Sequence, residues 1–130
     1  MRAVSVSVLG LGKVGRAVLA SLDRNHALFA SKYALDVRVH AVADSRGVAV
    51  AKEAGFVSSV LALKQSGTSV SAHPGHVTGS ILDLVPPESI LVDCTASAET
   101  GSILVRFLFC FCVCFCFLLL FIDIIIIKRN

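Results

Sequence analysis

The spacing of apolar residues changes several times along the chain, and each change marks an element. Ala3 to Leu9 alternates valine with small residues, the two-residue period of a buried strand. From Lys13 the period lengthens. Val14, Val18 and Leu22 recur every four residues, with Ala17 and Leu28 on nearby faces, which predicts an amphipathic helix. The polar group Asp23, Arg24, Asn25 and His26 either ends this helix or marks its wet face. Leu35 to Ala43 alternates again as a second strand, and Asp44-Ser45-Arg46-Gly47 follows as a turn. Val48 to Ala54 and Val60 to Gln65 are each expected to form a short helix. Ser66 to Gly79 is rich in Gly, Ser and His and reads as a loop, and Pro86-Pro87 breaks the chain again. Ile90 to Cys94 is a short apolar run suited to a buried parallel strand, with Thr95 to Gly101 as the loop beyond it. No internal repeat is visible. Strand, helix, strand, broken helix and strand in that order predict an α/β domain over residues 1–102, built on a parallel sheet with right-handed crossovers.

The pattern then stops. From Ile103 to Ile127 only Arg106 and Asp123 are charged, and four of the five cysteines and six of the eight phenylalanines fall there. Residues 103–130 are therefore set apart as a hydrophobic, low-complexity tail. Phe107 to Ile122 is 16 uninterrupted apolar residues, and extension to Ile127 gives 21, about the length of a membrane span. Arg106 at one end and Lys128 with Arg129 at the other would anchor it. A second reading is translation of a U-rich stretch such as a retained intron, since Phe, Leu, Ile and Val codons all carry U in the middle. Cys110, Cys112, Cys114 and Cys116 alternate along the chain, a poor match to the separated pairs of a tetrahedral zinc site. No metal site is expected.

Composition changes this picture little. The tail accounts for the mean hydropathy of +0.82. Residues 1–102 carry nine Lys/Arg and eight Asp/Glu, a net charge of +1, with no basic patch of the kind that binds nucleic acid. Their single cysteine, Cys94, argues against a disulfide framework. With no presequence ahead of the first strand, a cytoplasmic location is expected. Membrane association is open only through residues 107–127.

The chemistry lies in the turns. Gly10-Leu11-Gly12-Lys13-Val14-Gly15 matches G-x-G-x-x-G between an apolar strand and an amphipathic helix, the context this fingerprint needs. Gly10 permits the tight turn, Gly12 lets a pyrophosphate approach the backbone, and Gly15 lets the helix pack close to the sheet. Leu11, Lys13 and Val14 would add backbone contacts, and the helix N-terminus would face the phosphates. The fold expected is thus Rossmann-type and the ligand a dinucleotide. Asp44 ends the second strand, where an acidic residue takes the ribose hydroxyls of NAD and a nearby Arg the 2′-phosphate of NADP. Asp44-Ser45-Arg46 offers both, so either cofactor remains open. Asp44 lies 29 residues after Gly15, against about 20 in the usual fingerprint. Thr95, Ala96 and Ser97 follow a later strand, where small residues let the nicotinamide half lie against the backbone and Thr95 could donate a hydrogen bond.

Three segments together resemble the N-terminal nucleotide-binding domain of homoserine dehydrogenases, in the style of its plant-like members. They are VLGLGKVGRAVL at 8–19, VHAVADSRG at 39–47 and ILVDCTASAET at 90–100. The resemblance covers about residues 3–101, and the long first crossover fits it. It implies an oxidoreductase that reduces aspartate 4-semialdehyde to homoserine with NADH or NADPH, on the route to threonine, methionine and isoleucine. It also implies that Gly10 to Gly15 bind the pyrophosphate, Asp44 to Arg46 the adenosine ribose, and Thr95, Ala96 and Ser97 the nicotinamide side.

The family's active-site lysine pattern has no match here. Lys13, Lys32, Lys52, Lys64 and Lys128 all fall outside it. The family's substrate-binding and dimerising domain is likewise not represented. No catalytic residue is therefore assigned, and the chain is expected to hold an incomplete sheet and to be catalytically incomplete. A non-catalytic nucleotide-binding module, tethered to a membrane by the tail, is the competing class. The histidines, including His73 and His76, read as surface or strand-face residues, and Cys94 as packed.

Overall fold

The computed structural model describes residues 1–95; Ala96, Ser97 and the apolar tail lie outside the described residues. Five strands form one sheet in the order β4-β3-β2-β1-β5. Its centre is parallel: β1 (Arg2–Leu9) lies between β2 (Leu35–Asp44) and β5 (Ile90–Asp93). The remaining two strands, β3 (Gly47–Val50) and β4 (His76–Val77), are antiparallel to their neighbours. The α/β class and its parallel core agree with the sequence reading. The antiparallel hairpin does not.

That hairpin corrects the helix expected over Val48 to Ala54. Asp44 pairs with Gly47 across a two-residue connection, so the chain reverses at once and Val48 and Ala49 continue the sheet. A run of small apolar residues suits a buried strand as well as a helix, and here the turn ahead of it decides. The second helix expected there does form, as α3 (Phe56–Gln65). The Ser66 to Gly79 loop contains a 3₁₀ turn at Val70–Ala72 and then the short β4.

Between β1 and β2 the chain makes two helices, α1 (Lys13–Arg24) and α2 (His26–Tyr33), joined at Asn25. The polar group at 23–26 thus ends one helix and starts the next, and the two together account for the long first crossover. α1 buries Gly15 and Leu19, with Val18 and Leu22 packed beside them, whereas Val14 is 43% exposed. The apolar stripe is thus rotated from the one expected, because Val14 sits in the first turn, beyond the sheet. α2 buries none of its residues.

β2 does not alternate evenly. Its pairing with β1 slips between Val6 and Ser7: Val6 faces Val39 but Ser7 faces Ala41, leaving His40 as an extra residue. Val37, Val39 and Val42 therefore reach one face, with Val6, Val8, Leu19, Phe56 and Val60. Ala41 and Ala43 reach the other, with Leu91 and Ile81 of the short helix α4 (Ile81–Leu84). The hydroxyl of Ser7 is fully buried and lacks a hydrogen-bond partner among the described residues.

Candidate functional site

The carboxyl ends of the three parallel strands meet at the glycine turn. The amide of Gly10 donates to the Ala43 carbonyl at the end of β2 (2.9 Å), and the Cys94 amide donates to Leu9 at the end of β1 (2.7 Å). Ligands in open α/β sheets bind beyond such strand ends, where the connections diverge to either side.

The three glycines differ in what they answer to. Gly10 has φ +88°, and a β-carbon there would lie 2.9 Å from Cys94 and Thr95 backbone atoms. A β-carbon on Gly15 would lie 1.8 Å from the Gly10 carbonyl oxygen. Protein packing alone therefore explains both. Gly12 is different: a β-carbon there would meet nothing within 4 Å among the described residues. Its backbone, at φ −72° and ψ −160°, suits any residue. Neither strain nor packing calls for glycine at this position. The backbone there is open to approach at the start of α1.

The start of α1 supports an anion there. Gly12 caps the helix without a side-chain hydrogen bond, and its first turn carries no acidic residue. Lys13 and Arg16 stand there instead, with the Arg16 Nε donating to the Gly12 carbonyl (3.2 Å). Cations are unfavourable at a helix N-terminus unless an anion joins them. Leu11 is buried beneath the turn, and Val14 stands exposed at its rim.

At the end of β2, the carboxylate of Asp44 is turned inward, its side chain only 8% exposed. Oδ1 accepts from the amides of Arg46 (2.9 Å) and Gly47 (3.1 Å) and from the Ser69 hydroxyl (3.2 Å). Oδ2 accepts from Lys64 Nζ and the Val70 amide, each at 2.9 Å. Burial alone would raise the pKa of this carboxyl. The hydrogen bond from Lys64, and then those from the Val70 and Arg46 amides, outweigh burial and lower it to about 2. Lys64, Ser69 and Val70 were not legible as site residues, because they lie 20 to 26 positions from Asp44 and follow no spacing rule. The Arg46 guanidinium makes no ion pair among the described residues.

At the third strand end, Thr95 folds back on Asp93. Its amide (2.8 Å) and its hydroxyl (2.7 Å) both donate to the same Asp93 oxygen. Cys94 is half-buried, and burial followed by the charge of Asp93 raises its thiol pKa. A raised pKa disfavours the nucleophilic thiolate.

The histidines sit elsewhere. His73 Nε2 lies 2.7 Å from the Ser59 hydroxyl, but its Nδ1 accepts from the Gly75 amide. In the neutral ring Nε2 then carries the proton and donates to Ser59, whose own proton goes to the Phe56 carbonyl (2.8 Å). The pair therefore lacks the base that would activate a serine. His76 turns away to the Val48 carbonyl. Among the described residues no three His, Cys, Asp or Glu side chains cluster as metal ligands, and no helix is long and apolar enough to cross a membrane. A cavity of about 740 Å³ opens between the end of α1, the first half of β2 and residues 51–57. No glycine-turn residue lines it, so the site is defined by the strand ends and not by that cavity.

The strand ends, the open approach over Gly12 and the cationic first turn of α1 together define a Rossmann-type dinucleotide-binding domain. A family model described as "Homoserine dehydrogenase, NAD binding domain" matches residues 10–110. The chain belongs to that family, and its cofactor class is a nicotinamide dinucleotide. Among solved structures, the homoserine dehydrogenase of Thermoplasma acidophilum matches with a TM-score of 0.56 and 26% identity over 75% of this chain. The present chain spans 28% of that protein's length. A search of curated protein sequences gives no significant match.

Proposed function

We propose that the chain is the cofactor-binding portion of a homoserine dehydrogenase-like oxidoreductase, acting on aspartate 4-semialdehyde and homoserine in the route to threonine, methionine and isoleucine. The observation that carries the reading is Gly12: a glycine that neither its backbone nor its neighbours require, at the mouth of the crevice between parallel strands. In this reading Gly10, Leu11, Gly12, Lys13, Val14 and Gly15 hold the pyrophosphate on backbone amides. Ser45 and Arg46 face the adenosine ribose, on the turn that Asp44 closes. Thr95, with Ala96 and Ser97, takes the nicotinamide side, and the Thr95 hydroxyl reaches a ligand by leaving Asp93.

A bound nicotinamide would supply the hydride that reduces an aldehyde. This chain's own residues bind and orient that cofactor, and no residue is assigned to stabilise the aldehyde oxygen or to hold the substrate. The chain alone is therefore proposed to bind cofactor without turnover. NADP is the tighter of the two cofactors in this reading. Recognition of NAD needs a carboxylate oxygen free to accept from the ribose hydroxyls, and both oxygens of Asp44 are already engaged. Arg46 makes no ion pair among the described residues and can offer its guanidinium to a 2′-phosphate.

The test is a titration of the full 130-residue chain with NADPH and with NADH, followed by cofactor fluorescence. Binding of both, tighter for NADPH, with no reduction of aspartate semialdehyde, is expected. Binding of neither would refute the reading. Arg46→Ala should lose the preference and leave the NADH affinity within about twofold.

A further inference from the structure

The carboxylate at the end of β2 is the ordinary ribose ligand of this fold, and the structure gives Asp44 other employment. A carboxylate has about four lone-pair sites. Asp44 accepts from five donors, which come from three separate segments. The Arg46 and Gly47 amides belong to its own turn, Lys64 to the last turn of α3, and Ser69 and Val70 to the start of the 3₁₀ turn. The same contact is tight at the backbone level. A β-carbon on Gly47 would come within 3.0 Å of Ser71, so the 44–47 turn and the 3₁₀ turn lie directly against each other. Ser69 extends the knot, since its hydroxyl accepts from the amide (3.2 Å) and the hydroxyl (3.0 Å) of Ser71. One step back along β2, the Ala43 carbonyl holds the Gly10 amide. The knot at Asp44 is thus fixed directly to the phosphate-binding turn.

We propose that Asp44 is a positioning residue and not a ribose ligand. Its carboxylate ties the 44–47 turn to α3 and to the 3₁₀ turn, and so presents Ser45 and Arg46 to the adenosine half of whichever dinucleotide binds. This rests on the dinucleotide-binding reading above. It separates three roles that a residue in this place can have. A ribose ligand discriminates between the cofactors, because only NAD offers it a free 2′-hydroxyl. A purely structural residue affects the melting temperature and leaves the affinity of the folded protein alone. A positioning residue weakens both cofactors through Ser45 and the turn backbone, and NADP(H) the more, because Arg46 meets only the 2′-phosphate.

The experiment uses the full chain and its Asp44→Asn variant. Asparagine keeps one oxygen for the Arg46 and Gly47 amides and loses the acceptor of Lys64 and of the Val70 amide. Dissociation constants for NAD(H) and NADP(H) are measured, together with backbone hydrogen exchange in cofactor-free protein. The expected result is a rise of roughly tenfold in the NADP(H) dissociation constant and a smaller rise, about threefold, for NAD(H). Faster exchange is expected at the Gly47 and Val70 amides, with the Val8 and Val42 amides in the sheet unaffected. Loss of NAD(H) affinity alone would overturn the inference in favour of a ribose ligand. Unchanged affinity for both would overturn it in favour of a structural role. Should Asp44→Asn fail to fold, Ser69→Ala removes one part-buried donor and keeps the ion pair; it should weaken both cofactors, by about threefold for NADP(H), and unchanged affinity or a loss confined to NAD(H) would refute the proposal. A wild-type chain that binds neither dinucleotide defeats the functional reading itself. Binding of both, with only NAD(H) weakened in the variant, leaves that reading standing and defeats this one.

Discussion

Replacing Gly12 by alanine adds one methyl group at the most informative point of the chain. The new β-carbon meets no atom of the described residues within 4 Å, and φ −72° with ψ −160° is open to alanine. Alanine is a poorer helix cap than glycine, by roughly 0.5–1 kcal/mol. It also loses less conformational entropy on folding, a gain of about 0.4–1 kcal/mol. These nearly cancel, so stability should move by less than about 0.5 kcal/mol. The effect on the cofactor is larger. A methyl group over the helix N-terminus holds the pyrophosphate off the backbone and removes about one charge-assisted hydrogen bond, worth roughly 1.5–3 kcal/mol. At about 1.4 kcal/mol per tenfold, the dissociation constant for NADPH should rise roughly 10- to 150-fold. Parallel urea melts and NADPH fluorescence titrations of the two proteins measure both quantities. A folded Gly12→Ala protein that binds NADPH as tightly as wild type would show that nothing approaches this glycine, and the central argument would fail.

Gly15→Ala should behave in the opposite way. Its β-carbon would stand 1.8 Å from the Gly10 carbonyl oxygen, so α1 must move off the sheet; a loss of at least about 3 kcal/mol is expected in a denaturant melt. Acid should expose the Asp44 knot. The carboxyl pKa falls from 3.8 to about 2 on folding, so its contribution is present above pH 4 and fades as pH drops from about 4 to about 2. It amounts to about 2 kcal/mol, and a pH series of melts should show that slope flattened in Asp44→Asn. Ser7→Ala removes a buried hydroxyl that has no partner among the described residues; its melting point should be unchanged or higher, by up to about 1 kcal/mol in stability. A clear destabilisation would mean that the hydroxyl is bonded after all.

What could be read from the sequence was whatever local pattern alone determines. The glycine turn was legible because strand, three spaced glycines and helix all lie within 24 residues, and each glycine has a local consequence. The parallel neighbours of β1 were legible from their apolar runs. The hairpin was hidden, since Val48-Ala49-Val50 is apolar in either conformation and only the Asp44 to Gly47 turn sets its direction. The bulge was hidden too: Val37, Val39, Ala41 and Ala43 spell an even alternation, while the pairing with β1 splits them between two faces. For Asp44 the place was legible and the surroundings were not. Lys64 and Ser69 reach it only once α3 and the 3₁₀ turn have packed.

The bulge in β2 also sets where this strand can change in length. Side chains alternate with a period of two, so losing one residue from a regular strand turns everything on one side of the loss to the wrong face. His40 is the exception. Without it, Val39 would precede Ala41 directly, and Val37, Val39 and Val42 would keep one face while Ala41 and Ala43 kept the other. The sheet would lose the His40 contacts to Leu84 (3.2 Å) and to the Ala51 amide (2.8 Å) but no core residue. Deletion at this single position should leave the strand's carboxyl end, and with it the Ala43 carbonyl that holds the glycine turn, in register. A deletion one step to either side would also absorb the bulge, but would put His40 in the place of Val39 or Ala41. The strand is thus expected to tolerate being shorter by one residue at His40, beside the strand ends but not at them.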